Sequence, residues 1–219
     1  MGPARNGSVY SIVAMVPDED MNEDPTKTSW TTHGDIPKMK ETFADFPEWA
    51  RGPLSCVEDG QVGLWQLRDI DPLPTWTKGR VILVGDAAHA MLPTQGQGAS
   101  QAVEDAEAVG AFYANFDIDT AGLEQIKEIN QKIFACRHKR ATTIQQYSRQ
   151  AAKPATEEGS VKIKMSPSEF MDYNCNYSGA LEWTRQQEKE KEKEKMQAAM
   201  HKVSEDVGRI DIVKKEVKA

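Results

Sequence analysis

The sequence has few cysteines and no long apolar segment. Its three cysteines among 219 residues, Cys56, Cys136 and Cys175, are odd in number and form no CxxC pair, which argues against a disulfide framework or a zinc site. We expect reduced, mostly buried thiols. No segment reaches the roughly 18 apolar residues of a membrane-spanning helix, and the first residues are too polar for a signal peptide. The expectation is a cytoplasmic protein without a membrane span.

The chain also has no excess of basic over acidic residues. The chain has 27 Lys and Arg against 34 Asp and Glu, a net charge of -7. Such a balance argues against a nucleic-acid-binding surface, so no nucleic-acid partner is expected. The length of 219 residues and a hydrophobic fraction of 39% suit one ordinary domain, or two small units, with an apolar core.

Several catalytic signatures are missing too. The only approach to the dinucleotide-binding pattern G-x-G-x-x-G is at 96–98, and Gln101 stands where its third glycine would be. No Lys-Ser or Lys-Thr pair follows these glycines as in a P-loop, and the residues around Ser100 lack the last glycine of a hydrolase nucleophile elbow. His89 has no metal-ligand spacing to acidic residues, so we expect a structural, hydrogen-bonded histidine and no metal.

Hydrophobic patterns predict a chain of mixed helices and strands. Apolar and β-branched runs indicate strands, and RVILVGD at 80–86 is expected to be buried on both faces. The alternating charges of 188–195 fit either a solvated helix or a flexible segment. The predicted strands are 8–16, 62–67 and 80–86; the predicted helices are 35–50 with an interruption at Pro47, one that begins after Gly98, 120–150 and 168–173; the predicted surface connection is 17–37.

The helix after Gly98 has an amphipathic pattern. Its apolar residues repeat from Ala102 to Tyr113, and Glu104, Asp105 and Glu107 fall on the other side. We expect the Glu104–Asp105 pair to face solvent or to bond to the preceding loop, without a catalytic role.

The segment 79–110 combines features that suit a ligand site. Asp86 ends the predicted strand, where a carboxylate can accept hydrogen bonds from sugar or polyol hydroxyls, and Gly85 permits close backbone approach. The loop 93–98 leads into a helix whose first amides lack partners and attract electron-rich atoms. A phosphate and the pyrimidine edge of a flavin both remain possible ligands at this point.

This arrangement of GD, AAH, a proline, GQG and ED resembles the second FAD motif of FAD-dependent aromatic-ring monooxygenases, of the salicylate hydroxylase and para-hydroxybenzoate hydroxylase type. The similarity extends to 65–69 and to Arg137 and Arg140. It implies an α/β chain with a partial FAD/NAD(P)-binding fold, a remnant β-rich substrate domain and a helical carboxy-terminal region. The implied parts are 1–74, the end of the substrate domain; 75–150, part of the FAD-binding domain; and 151–219, a charged helical tail.

The resemblance also implies roles for residues and partners. Asp86, beside Gly85, would hold ribityl or ribose hydroxyls of FAD, Pro93 would lie beside the flavin ring, and the backbone of Gly96, Gln97, Gly98 and Ala99 would contact its pyrimidine side. NAD(P)H would be the reductant, and molecular oxygen and a phenolic or related aromatic compound the substrates; no catalytic residue is assigned.

The missing G-x-G-x-x-G pattern is a departure from that family. It leaves two hypotheses: a carboxy-terminal portion of a monooxygenase, or a catalytically inactive flavin-fold remnant that acts as an interaction module. A sheet without partner strands would expose apolar surface, so self-association is expected. Trp30, Trp49, Trp65 and Trp76 fit either an aromatic substrate pocket or ordinary packing, with packing favoured.

Overall fold

The structure, a computed structural model, describes residues 2–16, 31–117, 122–153 and 164–216, without the side chains of 31, 32 and 201–216. The chain divides into two compact units, 1–67 and 68–219. Most of the predicted connection 17–37 and Trp30 lie outside the described residues. The last part of that connection, however, contains a strand and the start of a helix.

The first unit contains two antiparallel strand pairs and two helices. In the first pair Pro3 lies opposite Tyr10, and in the second pair Thr32 lies opposite Leu64. The elements are β1 (Gly2–Ala4), β2 (Val9–Ser11), β3 (Thr31–His33), α1 (Ile36–Thr42), α2 (Glu48–Ser55) and β4 (Gly63–Trp65). The predicted strand at 8–16 is therefore regular only at Val9–Ser11, whereas β4 lies within the predicted strand 62–67.

The two helices of this unit are bounded by residues that stabilise helix ends. The Asp35 carboxylate accepts a hydrogen bond from the Lys38 amide at 2.8 Å and caps α1. Pro47 is the N-cap of α2. The predicted interruption at Pro47 is thus confirmed, although α2 continues beyond the predicted end. Phe43, Ala50 and Leu54 are buried and form the core between the helices and strands.

The second unit contains one strand pair and the long helices. Ser166 and Glu169 form a reciprocal capping box at the start of α6. Its elements are β5 (Thr77–Lys78), β6 (Val81–Ile82), α3 (Asp86–His89), a 3₁₀ turn (Pro93–Gln95), α4 (Gly98–Tyr113), α5 (Leu123–Ala151), α6 (Pro167–Cys175) and α7 (Ala180–Glu216).

The helix predictions for this unit are confirmed in their main extent. The helix after Gly98 is α4, the one predicted at 120–150 is α5, and the short one is α6; residues 120 and 121 lie outside the described part of the chain. The charged run 188–195 lies within α7 with exposed side chains, which is the solvated helix of the two alternatives. A helix can tolerate such a run because every charged side chain reaches water.

The core of this unit lies between α4, α5 and the beginning of α7. Ala108, Ile133, Cys136 and Ala180 are its buried centre. A second cluster joins Trp76 to Ala88 and Ala141. Ile133 and Ile144, two of the apolar residues at helical spacing on α5, are buried as predicted.

The prediction that 80–86 is a strand buried on both faces is wrong. Only Val81–Ile82 form a strand, which pairs in antiparallel fashion with Thr77–Lys78. The side chains of Val81 and Val84 are 59% and 43% exposed. In the described residues β5 is the only strand that pairs with β6. The exposure of the two valines agrees with the apolar surface expected of an incomplete sheet, and self-association stays a prediction.

The expectation for the cysteines is correct in part. All three are free thiols, but only Cys136 is buried, whereas Cys56 and Cys175 are exposed. Cys56 follows the last residue of α2 and Cys175 is the last residue of α6, and these helix ends lie at the surface. Among the described residues, no helix is both long and apolar enough to cross a membrane.

Candidate functional site

The Gly85–Asp86 pair forms a sharp turn between β6 and α3. Gly85 has φ 57° and ψ -141°, a backbone conformation that is essentially restricted to glycine. It is buried, whereas Asp86, the first residue of α3, is exposed. Asp86 therefore begins a helix rather than ending a strand, and its side chain is exposed; its role as a ligand-binding residue stays a prediction.

The loop after α3 ends at the beginning of α4. The 3₁₀ turn Pro93–Gln95 is closed by Gly96, which has φ 62° in the left-handed region. The Thr94 hydroxyl donates to the Ser148 carbonyl oxygen at 2.7 Å and attaches this turn to α5. Within helix α4, Gln101 donates its amide to the Gln97 carbonyl oxygen at 2.9 Å, so the amides of residues 98–100 precede the first intrahelical bond.

The start of α4 has the properties of a site for an electron-rich group. Gln97, its N-cap, makes no side-chain capping bond, and the first turn contains no acidic residue. The positive end of the helix dipole is thus not neutralised by the helix itself. A Cβ atom built on Gly98 would lie 3.9 Å from Asp86 Oδ1, which places the carboxylate beside this helix start. The structure therefore brings the two predicted parts, Gly85–Asp86 and Pro93–Ala99, together.

The buried carboxylate of Asp105, on α4, bonds to the Gly85 turn. Asp105 Oδ2 accepts hydrogen bonds from the Gly85 amide at 2.9 Å and from His89 Nε2 at 2.7 Å. Asp105 Oδ1 accepts from Arg137 Nε at 2.9 Å. The side chains of Asp105 and Arg137 are 1% and 0% exposed. Asp105 therefore bonds to the motif, one of the two predicted alternatives, and does not face solvent.

The neighbouring Glu104 joins the two arginines of α5. It accepts from Arg137 Nη1 at 2.5 Å and from Arg140 Nε and Nη2 at 2.7 and 2.8 Å. Arg140 also donates to the carbonyl oxygens of Tyr173 and Asn174 at the end of α6. Two cations and two carboxylates thus compensate one another in a largely desolvated cluster. Glu104 and Asp105, which were expected on the solvent side, instead bond to arginines of α5, whereas Glu107 is exposed and bonds to Tyr177 and Ala180.

His89 is the structural histidine that the sequence predicted. It is buried, and its Nε2 atom donates to Asp105, while its ring lies 5.2 Å from that of Trp76. Within the part of the chain that the structure describes, its Nδ1 atom has no hydrogen-bond partner. Its partner Asp105 lies 16 residues away in the sequence, so no local spacing indicated the pair.

The environment of Asp105 lowers its pKa. Burial raises the pKa of this carboxyl, but the hydrogen bonds from His89, the Gly85 amide and Arg137 together bring it below the ordinary value of 3.8. The ionised form is therefore stabilised in the folded state.

Acid should remove this contribution to stability. Because the folded-state pKa is depressed, the stabilisation is complete above the unfolded-state value of 3.8 and is lost as the pH falls through the lower folded-state value. We expect the difference in unfolding free energy between the wild-type chain and Asp105→Asn to be constant from pH 7 to pH 5 and to shrink below 3.8. Urea unfolding at pH 6, 4 and 3 measures it. A difference that does not change with pH would show that the carboxylate charge is not stabilising.

Helix α5 also holds the chain segments on both sides of the motif. Gln145 Nε2 donates to the carbonyl oxygens of Ile70 and Ala90 at 2.8 and 3.0 Å. Arg149 bonds to Asp69 and Asp71. The segment before β5 and the end of α3 are thus attached to the same helix. These attachments limit movement of β5, β6 and α3, which lie between them in the chain.

The tryptophans differ in their surroundings. Trp76 is buried and packs on Phe134 and His138, which confirms the packing alternative for this residue. Trp49 and Trp65 are exposed and lie in the first unit. That unit contains a cavity of about 830 Å³, whose lining includes Phe43, Leu54 and His33.

The arrangement can bind a ligand that carries hydroxyl groups beside an electron-rich edge. Asp86 supplies an exposed acceptor, and the amides of residues 98–100, at the helix start beside it, supply donors. A flavin has a polyhydroxylated ribityl chain attached to a ring with a polar pyrimidine edge, so the residues present fit its ring and ribityl side. Among the described residues, no group of three or more His, Cys, Asp or Glu could hold a metal ion.

The family model and the similar proteins agree on one family. The family model described as "FAD binding domain" matches residues 10–128. Salicylate hydroxylase of Pseudomonas putida is 35% identical over 148 residues, which cover 67% of this chain and 33% of the relative. 3-Hydroxybenzoate 6-hydroxylase 1 of Aquipseudomonas alcaligenes is 35% identical over 151 residues, which cover 68% of this chain and 34% of the relative.

A solved structure supports the same relationship. The salicylate hydroxylase substrate complex superposes with a TM-score of 0.61 at 30% identity, over 80% of this chain and 44% of that one. The chain thus spans about a third of the length of the curated relatives it matches.

Proposed function

Because the chain belongs to the FAD-binding-domain family of the FAD-dependent aromatic hydroxylases, we propose that it binds FAD at the Gly85–Asp86 turn and the start of α4. It does so as part of an FAD- and NAD(P)H-dependent monooxygenase that hydroxylates a phenolic or related aromatic compound. The observation that carries this proposal is the exposed Asp86 carboxylate beside a helix start that has no side-chain cap.

The proposed roles follow from the position of each group. Asp86 accepts hydrogen bonds from ribityl or ribose hydroxyls, and Pro93 lies beside the flavin ring. The backbone of Gly96–Ala99 donates to the pyrimidine edge, where the dipole of α4 favours negative charge. FAD supplies the redox chemistry that uses NAD(P)H and molecular oxygen, and the chain binds and orients it.

We assign the parts of the chain in the same terms. Residues 1–74 are the end of a substrate domain, 75–150 belong to the FAD-binding domain and 151–219 form a helical tail. The fold itself is a mixed helical chain with few strands that resembles salicylate hydroxylase, and the division into these three parts belongs to the proposal. The proposed aromatic substrate rests on the relatives, which carry hydroxylase names.

Replacing Asp86 should weaken FAD binding. A hydrogen bond to a charged group contributes about 1.5–3 kcal/mol, so Asp86→Ala is expected to raise the Kd for FAD about 10-fold or more. Quenching of flavin fluorescence on titration with the full chain measures this. Asp59→Ala is the matched control, because Asp59 is an exposed aspartate of the first unit.

The outcomes separate the possibilities. If Asp86→Ala loses affinity and Asp59→Ala does not, the Asp86 carboxylate is part of the site. Equal affinity of wild type and Asp86→Ala would place FAD elsewhere. A folded wild-type chain without any affinity for FAD would support the interaction-module hypothesis instead.

A further inference from the structure

The Gly85 turn is held by one side chain from a different element. Gly85 adopts a conformation with φ 57° that directs Asp86 out of the fold. Its amide is buried and donates to Asp105 Oδ2 at 2.9 Å. A buried amide needs a partner, and an unsatisfied one destabilises its conformation. The direction in which Asp86 leaves the turn therefore depends on Asp105.

The Asp105 carboxylate is held in place by hydrogen bonds to both of its oxygens. Its two oxygens accept hydrogen bonds from the Gly85 amide, His89 and Arg137, at distances between 2.7 and 2.9 Å. Arg137 is held in turn by Glu104 and by Gln101 Oε1, the latter at 2.7 Å. These partners lie in the Gly85 turn and on α3, α4 and α5, so the carboxylate joins the turn to three helices.

The same carboxylate lies on the helix whose start belongs to the proposed site. Asp105 is seven residues after Gly98 in α4, about 10 Å along the helix axis. Because the helix is rigid, the bond between Asp105 and Gly85 sets the spacing between the helix start and the turn. At that spacing, Asp86 Oδ1 lies 3.9 Å from a Cβ atom built on Gly98, at the start of α4.

We propose that Asp105, held by Arg137, is a positioning residue for FAD: it does not touch the cofactor but keeps Asp86 and the α4 amides at the separation that one flavin can bridge. This inference rests on the proposed function. Its physical basis is that a ligand with two contact points loses affinity when the points move relative to each other.

The substitution Asp105→Asn tests the inference with little change in volume. The asparagine amide nitrogen replaces one of the two accepting oxygens, so a donor faces either Arg137 or both the Gly85 amide and His89. The Kd for FAD is expected to rise roughly 10-fold or more, as when residues that orient a ligand-binding group are replaced. The bound flavin should also have an altered visible circular dichroism spectrum at saturating FAD, because its position changes.

A double-mutant cycle separates positioning from general destabilisation. If Asp105 acts through Asp86, Asp105→Asn should weaken FAD binding far less in an Asp86→Ala background than in the wild type. The destabilised control is Ile133→Val, which trims a buried residue of the core between α4 and α5 and should leave the Kd unchanged. Hydrogen exchange of the Gly85 amide without FAD should accelerate in Asp105→Asn.

Each outcome has one meaning. Weakened binding that is non-additive with Asp86→Ala, together with faster exchange at Gly85, supports the inference. An unchanged Kd in Asp105→Asn, or an equal loss in both backgrounds, overturns it while Asp86→Ala still tests the proposed function. A folded wild-type chain that fails to bind FAD overturns both.

Discussion

Arg137→Met is expected to lower the free energy of unfolding by about 3–5 kcal/mol, because it leaves the buried Asp105 carboxylate without its arginine partner and leaves Glu104 with Arg140 alone. Arg137 is fully buried and bonds to both of them. Methionine keeps much of the aliphatic volume, so the loss of charge and hydrogen bonds dominates the effect. Urea unfolding followed by the helical circular dichroism signal measures it.

The matched control is Arg185→Met. Arg185 is 68% exposed and pairs with Glu182 one helical turn away, and such surface pairs contribute less than about 1 kcal/mol. A loss in Arg137→Met no larger than that in Arg185→Met would mean that the cluster is not a stabilising connection between α4 and α5.

Trp76→Ala should destabilise the second unit by about 3–5 kcal/mol, the range for truncation of a large buried aromatic residue. Trp76 is 2% exposed and packs against Phe134, His138 and His89. Its removal opens a cavity directly below α3, so we also expect faster hydrogen exchange in 85–90. Thermal unfolding and exchange mass spectrometry measure the two effects.

Trp49→Ala is the control for this substitution. Trp49 is 75% exposed on α2, so its truncation should change stability little. If Trp76→Ala proved as mild as Trp49→Ala, the cluster of Trp76, Ala88 and Ala141 could not be the support beneath the motif.

The family and the helices could be predicted from the sequence because their signals are local. The GD, GQG and ED elements lie within one stretch, and the relatives confirm the aromatic hydroxylase family that they indicated. The stripe of α5 repeats over enough turns to show helical spacing. The face predicted for α4 is wrong, because Val103 is 69% exposed and the buried residues of this helix are Gln101, Asp105 and Ala108. Site residues from Gly85 to Ala99 were predicted from the same stretch, and their roles stay predictions.

What could not be predicted depends on contacts between distant residues. Helical periodicity places charged residues on the solvent side, and it cannot detect that Arg137, 32 residues after Asp105, compensates that carboxylate inside the fold. The signal that could have found this pair was the occurrence of two arginines on α5 together with two acids on α4. The exposure of Val81 likewise depends on which strands cover β6, not on its own apolar run.

Hydrogen–deuterium exchange of the full chain with and without FAD tests the central claim most directly, because it locates the cofactor without a substitution. The account predicts that FAD slows exchange at the amides of Gly98, Ala99 and Ser100 and in 85–90, and leaves helices α1 and α2 unchanged. Protection confined to other segments, or none at saturating FAD, would contradict the claim that the flavin lies between the Gly85–Asp86 turn and the start of α4.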